Sequence, residues 1–183
     1  MKFNATRLNG LYTIDTAPTV DTRGSFVRTY CDDEFVVIRS NLHWKQSNLS
    51  TTQGKGSIRG MHFQYPPAAE VKLIRCLRGK VLDVAVDVRH GSPTFLQWEA
   101  VELAENNNRM MFIPEGFAHG FQILTDEAQL LYMHSAAWSP ALEGRLRFDD
   151  PRIGVRWPLP VDHVSDRDLG TPLVDDHFTG VDL

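Results

Sequence analysis

Val81-Leu82-Asp83-Val84-Ala85-Val86-Asp87-Val88 decides the fold class. It is short, rich in valine, broken by two acids, and bounded by Arg78-Gly79 before and His90-Gly91-Ser92-Pro93 after. β-Branched runs of this length between turn residues read as strands. Working outward, Val71 to Arg75, Trp98 to Leu103, Met110 to Ile113, Phe117 to Leu124 and Leu130 to His134 have the same character. Val101 and Leu103 fall on one face of their strand. Turn signals recur between these runs: Asn9-Gly10, Asp21-Thr22-Arg23-Gly24, Gly54-Lys55-Gly56, Asn106-Asn107-Asn108, Pro114-Glu115-Gly116, Ser139-Pro140 and Asp149-Asp150-Pro151. Many short strands at such spacing predict a sandwich or barrel. Helix signals are few. Asp32-Asp33 can cap a short helix, and Asp166-Arg167-Asp168 can open another. The stretch from Pro172 to Leu183 has little periodicity and reads as an extended arm or a frayed end.

The chain has 183 residues and no linker, repeat or low-complexity tract, so residues 1–183 read as one domain. The formal net charge is −4, which argues against binding duplex nucleic acid by bulk positive charge. The cations are 14 Arg and 5 Lys, and the guanidinium fork suits a local phosphate or carboxylate site. Two cysteines, Cys31 and Cys76, make neither a disulfide framework nor a cysteine zinc site, and read as free thiols of a reducing compartment. The first seven residues contain no apolar signal segment, and no apolar run is long enough to cross a membrane. The expectation is a cytoplasmic protein.

Two of the seven histidines stand in suggestive settings. His119 lies in Pro114-Glu115-Gly116-Phe117-Ala118-His119-Gly120-Phe121, which resembles half of the cupin signature, a turn that starts a jelly-roll strand. Metal-binding cupins supply H-x-H and a glutamate in the other half. Here the matching residues are His62-Phe63-Gln64, with Glu70 further along. An amide in place of the second imidazole disfavours a metal site. Taken singly, each histidine reads far more readily as a core or hydrogen-bonded residue than as a metal ligand.

The whole set of motifs carries more. Asp21 to Phe26, Gln46-Ser47-Asn48, Arg59 to Gln64, Lys72, Gly91 to Thr94, Pro114 to Phe121, Leu131-Tyr132, Asp149-Asp150-Pro151 and Ser165 to Asp168 occur in this order. The chain thereby resembles the dTDP-4-dehydrorhamnose 3,5-epimerase (RmlC) family from about residue 8 to about residue 173. The resemblance implies an all-β cupin-type jelly roll with a few short helices, and a homodimer with exchanged N-terminal strands. It implies epimerisation of a nucleotide-diphospho-4-keto-6-deoxyhexose at C3, C5 or both. The C4 ketone acidifies the neighbouring hydrogens and stores the electrons of the enolate, so neither metal nor redox cofactor is implied.

By the same resemblance His62 is the base, Asp168 its carboxylate partner and Tyr132 the acid. Lys72, on the strand-like stretch Val71 to Arg75, is expected to face the enolate oxygen, the alternative being a solvated outward face. A neutral imidazole, with an ordinary pKa of about 6.5, suits proton abstraction near neutrality. Arg23, Arg59 and Arg167 are implied at the diphosphate, with His119 and Gln46 or Asn48 as hydrogen-bond partners and Phe26 and Glu143 as further contacts. Three positions depart from the family pattern. Trp138 stands where a tyrosine stacks on the base, Arg28 where thymidine-using members carry glutamate, and Ser47 where an aspartate is common. A guanidinium only donates hydrogen bonds, so a CDP- or GDP-linked substrate, or action at one carbon, is the alternative within this chemistry. A metal-dependent cupin oxygenase and a non-catalytic sugar-binding cupin are the alternatives of other classes.

Overall fold

The computed structural model describes residues 1–183. Along the chain run β1 (Lys2–Ala5), β2 (Tyr12–Asp15), β3 (Thr19–Asp21), β4 (Gly24–Phe26), α1 (Asp32–Phe35), β5 (Gln46–Gln53), β6 (Ile58–Gln64) and β7 (Lys72–Arg78). Then follow β8 (Lys80–Asp87), β9 (Trp98–Ala104), β10 (Arg109–Ile113), β11 (Phe117–Ile123), β12 (Glu127–His134), β13 (Glu143–Arg145) and α2 (Asp166–Leu169). One antiparallel sheet has the order β1-β2-β10-β7-β12-β5, the second β13-β6-β11-β8-β9, and β3-β4 form a separate hairpin. This is the expected all-β jelly roll with two short helices. No helix is long and apolar enough to cross a membrane.

Strand β8 shows why the sheets stack. Its inward residues Val81 and Ala85 meet Ile74 and Cys76 of β7, Met111 and Ile113 of β10, and Leu130 of β12 in the core between the sheets. Its alternate residues Val84 and Val86 point the other way and are equally buried, beneath Leu146, Ile153 and Val181. A strand covered on both faces must be apolar on both, which explains the nearly unbroken valine run. The cover comes from the C-terminal segment, which is a packed arm rather than a frayed end. Val181 bridges Arg89 in parallel, and its N–H donates to the Val88 carbonyl at 2.7 Å. The outer face of the six-stranded sheet is closed similarly: Phe35 of α1 and Leu42 pack on Ile14, Leu73, Met110 and Phe112.

Both expected helices form as single turns. Cys31, not Asp32, holds the N-cap position of α1 and makes no side-chain cap bond. Ser165 caps α2, accepting from the Asp168 N–H at 3.1 Å.

The inner faces turn polar at one end of the sandwich. On β12 the inward series Ala128, Leu130 continues to Tyr132 and His134, and on β7 the series Cys76, Ile74 continues to Lys72. His119 of β11 pairs in register with His62 of β6. Met61 and Phe63 pack outward, which turns His62 and Gln64 inward. Beside this pair the β6–β11 register shifts between His119 and Phe121. There Gly60 and Gly120 let the backbones touch: a Cβ on Gly60 would lie 2.6 Å from the Gly120 Cα. The local bend re-aims the strand next to the cavity.

Candidate active site

The polar end opens into a cavity of about 620 Å³. Its floor holds two imidazole–carboxylate pairs. His62 Nε2 is 2.7 Å from Asp168 Oδ1, and His119 Nε2 is 2.7 Å from Asp83 Oδ1. The first pair is half open to the cavity and the second is buried. The N–H of Gly60 donates to the other oxygen of Asp168 at 3.3 Å. Burial pushes the Asp168 carboxyl up. The His62 bond and its charge, with the bonds from the Gly60 N–H and the Ser165 hydroxyl, outweigh that and hold it below its ordinary value. A carboxylate so held fixes the imidazole tautomer and stabilises the imidazolium that forms when His62 takes a proton. Asp168 is therefore far more than a helix-cap residue.

Tyr132 enters from the opposite sheet. Its ring lies edge-on to His119 and parallel to His134, each at a centroid separation of 5.8 Å. Its hydroxyl makes no hydrogen bond within the protein. Burial, and next the negative charge of Asp83, push its pKa well above 10, with Arg59 opposing. Such a phenol stays protonated through the neutral range and gives up its proton only to a strong base such as an enolate carbon.

Lys72 is buried in the cavity wall, paired with Glu70 at 2.8 Å. The other oxygen of Glu70 is 2.8 Å from His134 Nδ1, and His134 Nε2 is 3.4 Å from the Asn48 amide. Sequence reasoning noticed Glu70 only as a stray carboxylate and passed over His134 and Asp83. A period-two reading forward from Tyr132 places His134 on the cavity face, and the same reading between Val81 and Ala85 places Asp83 inside.

The remaining expected residues divide. Asn48, Arg59, His119, Trp138, Glu143 and Arg167 line the cavity with His62, Lys72, Tyr132 and Asp168. Arg59 donates to Thr52 Oγ1 at 2.8 Å, which lays the guanidinium along the wall. Glu143 accepts from both Arg145 and Arg167 at the rim. Gln46 stands behind the rim, its Oε1 accepting from the Trp138 N–H at 3.1 Å. Arg23, Phe26 and Arg28 are not brought to this cavity. Arg23 is 88% exposed on the β3–β4 hairpin and pairs with Asp21, Phe26 is exposed on the same hairpin, and Arg28 pairs with Glu34 at 2.9 Å. Gln64 is committed elsewhere too: its amide donates to the carbonyls of Ala68 and Ala137 and accepts from the Ser139 N–H.

Comparison with known proteins fits this arrangement. The family model described as dTDP-4-dehydrorhamnose 3,5-epimerase matches residues 5–176. A dTDP-4-dehydrorhamnose 3,5-epimerase of Salmonella typhimurium is 42% identical over 157 residues, 85% of each chain. A dTDP-4-dehydrorhamnose 3-epimerase of Streptomyces niveus is 36% identical over 169 residues, 92% of this chain and 81% of the relative. Among solved structures, the RmlC epimerase of Legionella pneumophila in complex with dTDP-4-keto-L-rhamnose superposes with a TM-score of 0.91. It is 33% identical, with 98% of this chain and 97% of that one covered. An order of motifs, a jelly roll with this cavity at its polar end, and likeness over nearly the whole length agree, and the chain belongs to the dTDP-4-dehydrorhamnose 3,5-epimerase family.

Proposed function

We propose that residues 1–183 act as one domain that epimerises a dTDP-linked 4-keto-6-deoxyhexose at C3 and C5, with no metal or redox cofactor. The observation that carries this is the placement of base and acid on opposed sheets. His62 stands on β6 with Asp168 of α2 behind it, and Tyr132 faces the same cavity from β12 of the other sheet. A proton removed from one side of a sugar ring and returned from the other inverts the carbon. The C–H electron pair moves into the C3–C4 or C5–C4 bond, and the C4 carbonyl becomes an enolate oxygen facing the Lys72 ammonium. Positive charge aimed at that oxygen is worth most where charge develops.

Arg59 and Arg167 serve the diphosphate, with His119 and Asn48 as hydrogen-bond donors, and exposed Trp138 offers a stacking face to the base. Arg23 and Phe26 serve a second copy of the chain: their hairpin projects away from this cavity, and both side chains are exposed. The enzyme then works as a homodimer with exchanged N-terminal strands. The unpaired thiols of Cys31 and Cys76 agree with a cytoplasmic setting. Epimerisation at a single carbon is the second reading, favoured by the likeness to the Streptomyces niveus 3-epimerase.

The test is incubation with dTDP-4-keto-6-deoxyglucose in D2O, with deuterium at C3 and C5 followed by NMR. Wild type incorporates deuterium at both carbons and stays active after chelation. His62→Ala slows turnover at least ~10²-fold, the scale of a positioned base. No exchange by wild type, or activity lost with EDTA and restored by one divalent ion, overturns the reading. Exchange at C3 alone selects the second reading.

A further inference from the structure

The Lys72–Glu70–His134 chain carries an inference beyond the base and the acid. Lys72 has a single carboxylate partner, and both side chains are only 8% exposed. The second oxygen of Glu70 is taken by His134 Nδ1, and Asn48 Nδ2 approaches His134 Nε2. These partners assign the tautomer: Nδ1–H donates to the carboxylate and Nε2 accepts from the amide. The strands fix the chain in place, because His134 and Lys72 are paired in register across β12 and β7, and Asn48 lies opposite Tyr132 across β5 and β12. Burial pushes the Glu70 carboxyl up, and the contacts with His134 and Lys72 outweigh it, so Glu70 stays ionised.

We propose that Glu70 and His134 are positioning residues that fix the Lys72 ammonium at the place of the enolate oxygen. This rests on the epimerase reading given above. A lysine side chain has four rotatable bonds and, unheld, swings toward the strongest anion in reach, here the substrate diphosphate. Glu70 counters that pull, and its bond from His134 keeps it from following the ammonium. His134 is two residues beyond Tyr132 on the same strand face, so one strand sets both the acid and the anchor of the cation. The other ionisable groups facing this cavity are Arg59 and His62 on β6, His119 on β11, Tyr132 on β12, Glu143 on β13, His163, and Arg167 and Asp168 on α2, with Asp168 tied to His62 and Arg167 to Glu143.

The experiment is a double-mutant cycle on the full chain. Glu70→Gln keeps the shape and removes the charge. It is expected to lower kcat about 10-fold or more while KM changes less than about 3-fold, because the diphosphate contacts are untouched. In a Lys72→Met background, Glu70→Gln is expected to cost no further activity, because it acts only through Lys72. His134→Gln, which still offers an amide donor to Glu70, is expected to retain more activity than His134→Leu. Equal losses from Glu70→Gln in both backgrounds, or an unchanged kcat in a folded Glu70→Gln enzyme, overturns the proposal. Failure of wild type to exchange deuterium would instead refute the epimerase reading itself, so the two failures are distinguishable.

Discussion

Replacing Tyr132 with phenylalanine separates the acid from the base. The hydroxyl makes no hydrogen bond within the protein, so its removal leaves no buried partner unsatisfied. The ring keeps its places edge-on to His119 and parallel to His134. The stability change is therefore expected below about 1 kcal/mol, the scale of one ordinary hydrogen bond. The chemical effect is much larger. Loss of a positioned acid costs about 10²- to 10⁴-fold, or roughly 2.7–5.4 kcal/mol of barrier. It falls on one half of the reaction only. His62, on the other sheet and backed by Asp168 of α2, still removes and returns a proton on its own side. Tyr132→Phe should then exchange the substrate hydrogen with solvent at a rate near that of wild type while forming inverted product at least ~10²-fold more slowly. NMR of one D2O incubation reads both rates. Equal loss of exchange and inversion, with unfolding temperature unchanged, would refute the division of labour between the two sheets.

Two further predictions follow from the cavity and its supports. Gly60→Ala should lower the unfolding temperature by about 4 °C or more. Its φ of +119° is strained for any side chain, and the new Cβ would meet Gly120 Cα at 2.6 Å and the His119 carbonyl at 2.7 Å. It should slow turnover as well, because its N–H supports Asp168 and His62 lies two residues on; an unaltered melting curve would contradict the close approach. Acid should destabilise the fold steeply: Glu70, Asp87 and Asp168 all sit below their ordinary values of 4.5, 3.8 and 3.8. The stabilisation from a depressed carboxyl is complete above its unfolded pKa and disappears as pH falls through the folded one. The unfolding temperature should therefore drop between about pH 5 and pH 2, less steeply in Asp87→Asn, and a flat profile would count against these contacts.

The strands legible in the sequence were those buried on at least one face. β8, β10 and β11 announce themselves by mostly apolar or β-branched runs, and Val101 and Leu103 of β9 pack inward as their alternation implies. β5 left no such mark. It is Gln46–Gln53, an edge strand almost wholly polar, because its residues face solvent or the cavity instead of the core. The His62–Asp168 pair was invisible to local patterns for a different reason: the two residues are 106 residues apart, and only the ordered motifs of the family join them. Glu70 and His134 lie outside those motifs. Their link to Lys72 appears only once the register of β7 against β12 is known.

Gln64 has a meaning for how this scaffold changes occupation. In metal-binding relatives of the jelly roll, a second histidine two places after the first completes the ligand set. A single substitution here, Gln64→His, is on paper a short route from one chemistry to the other. Yet this glutamine ties the turn at Ala68 to the segment Ala137–Ser139, which carries Trp138 at the mouth of the cavity. An imidazole cannot make those three bonds at once. A step toward metal binding would thus loosen the rim that receives the base of the nucleotide, and the two trades exclude one another until the rim is rebuilt. In an engineering campaign the rim would have to be redesigned first and the ligand introduced second.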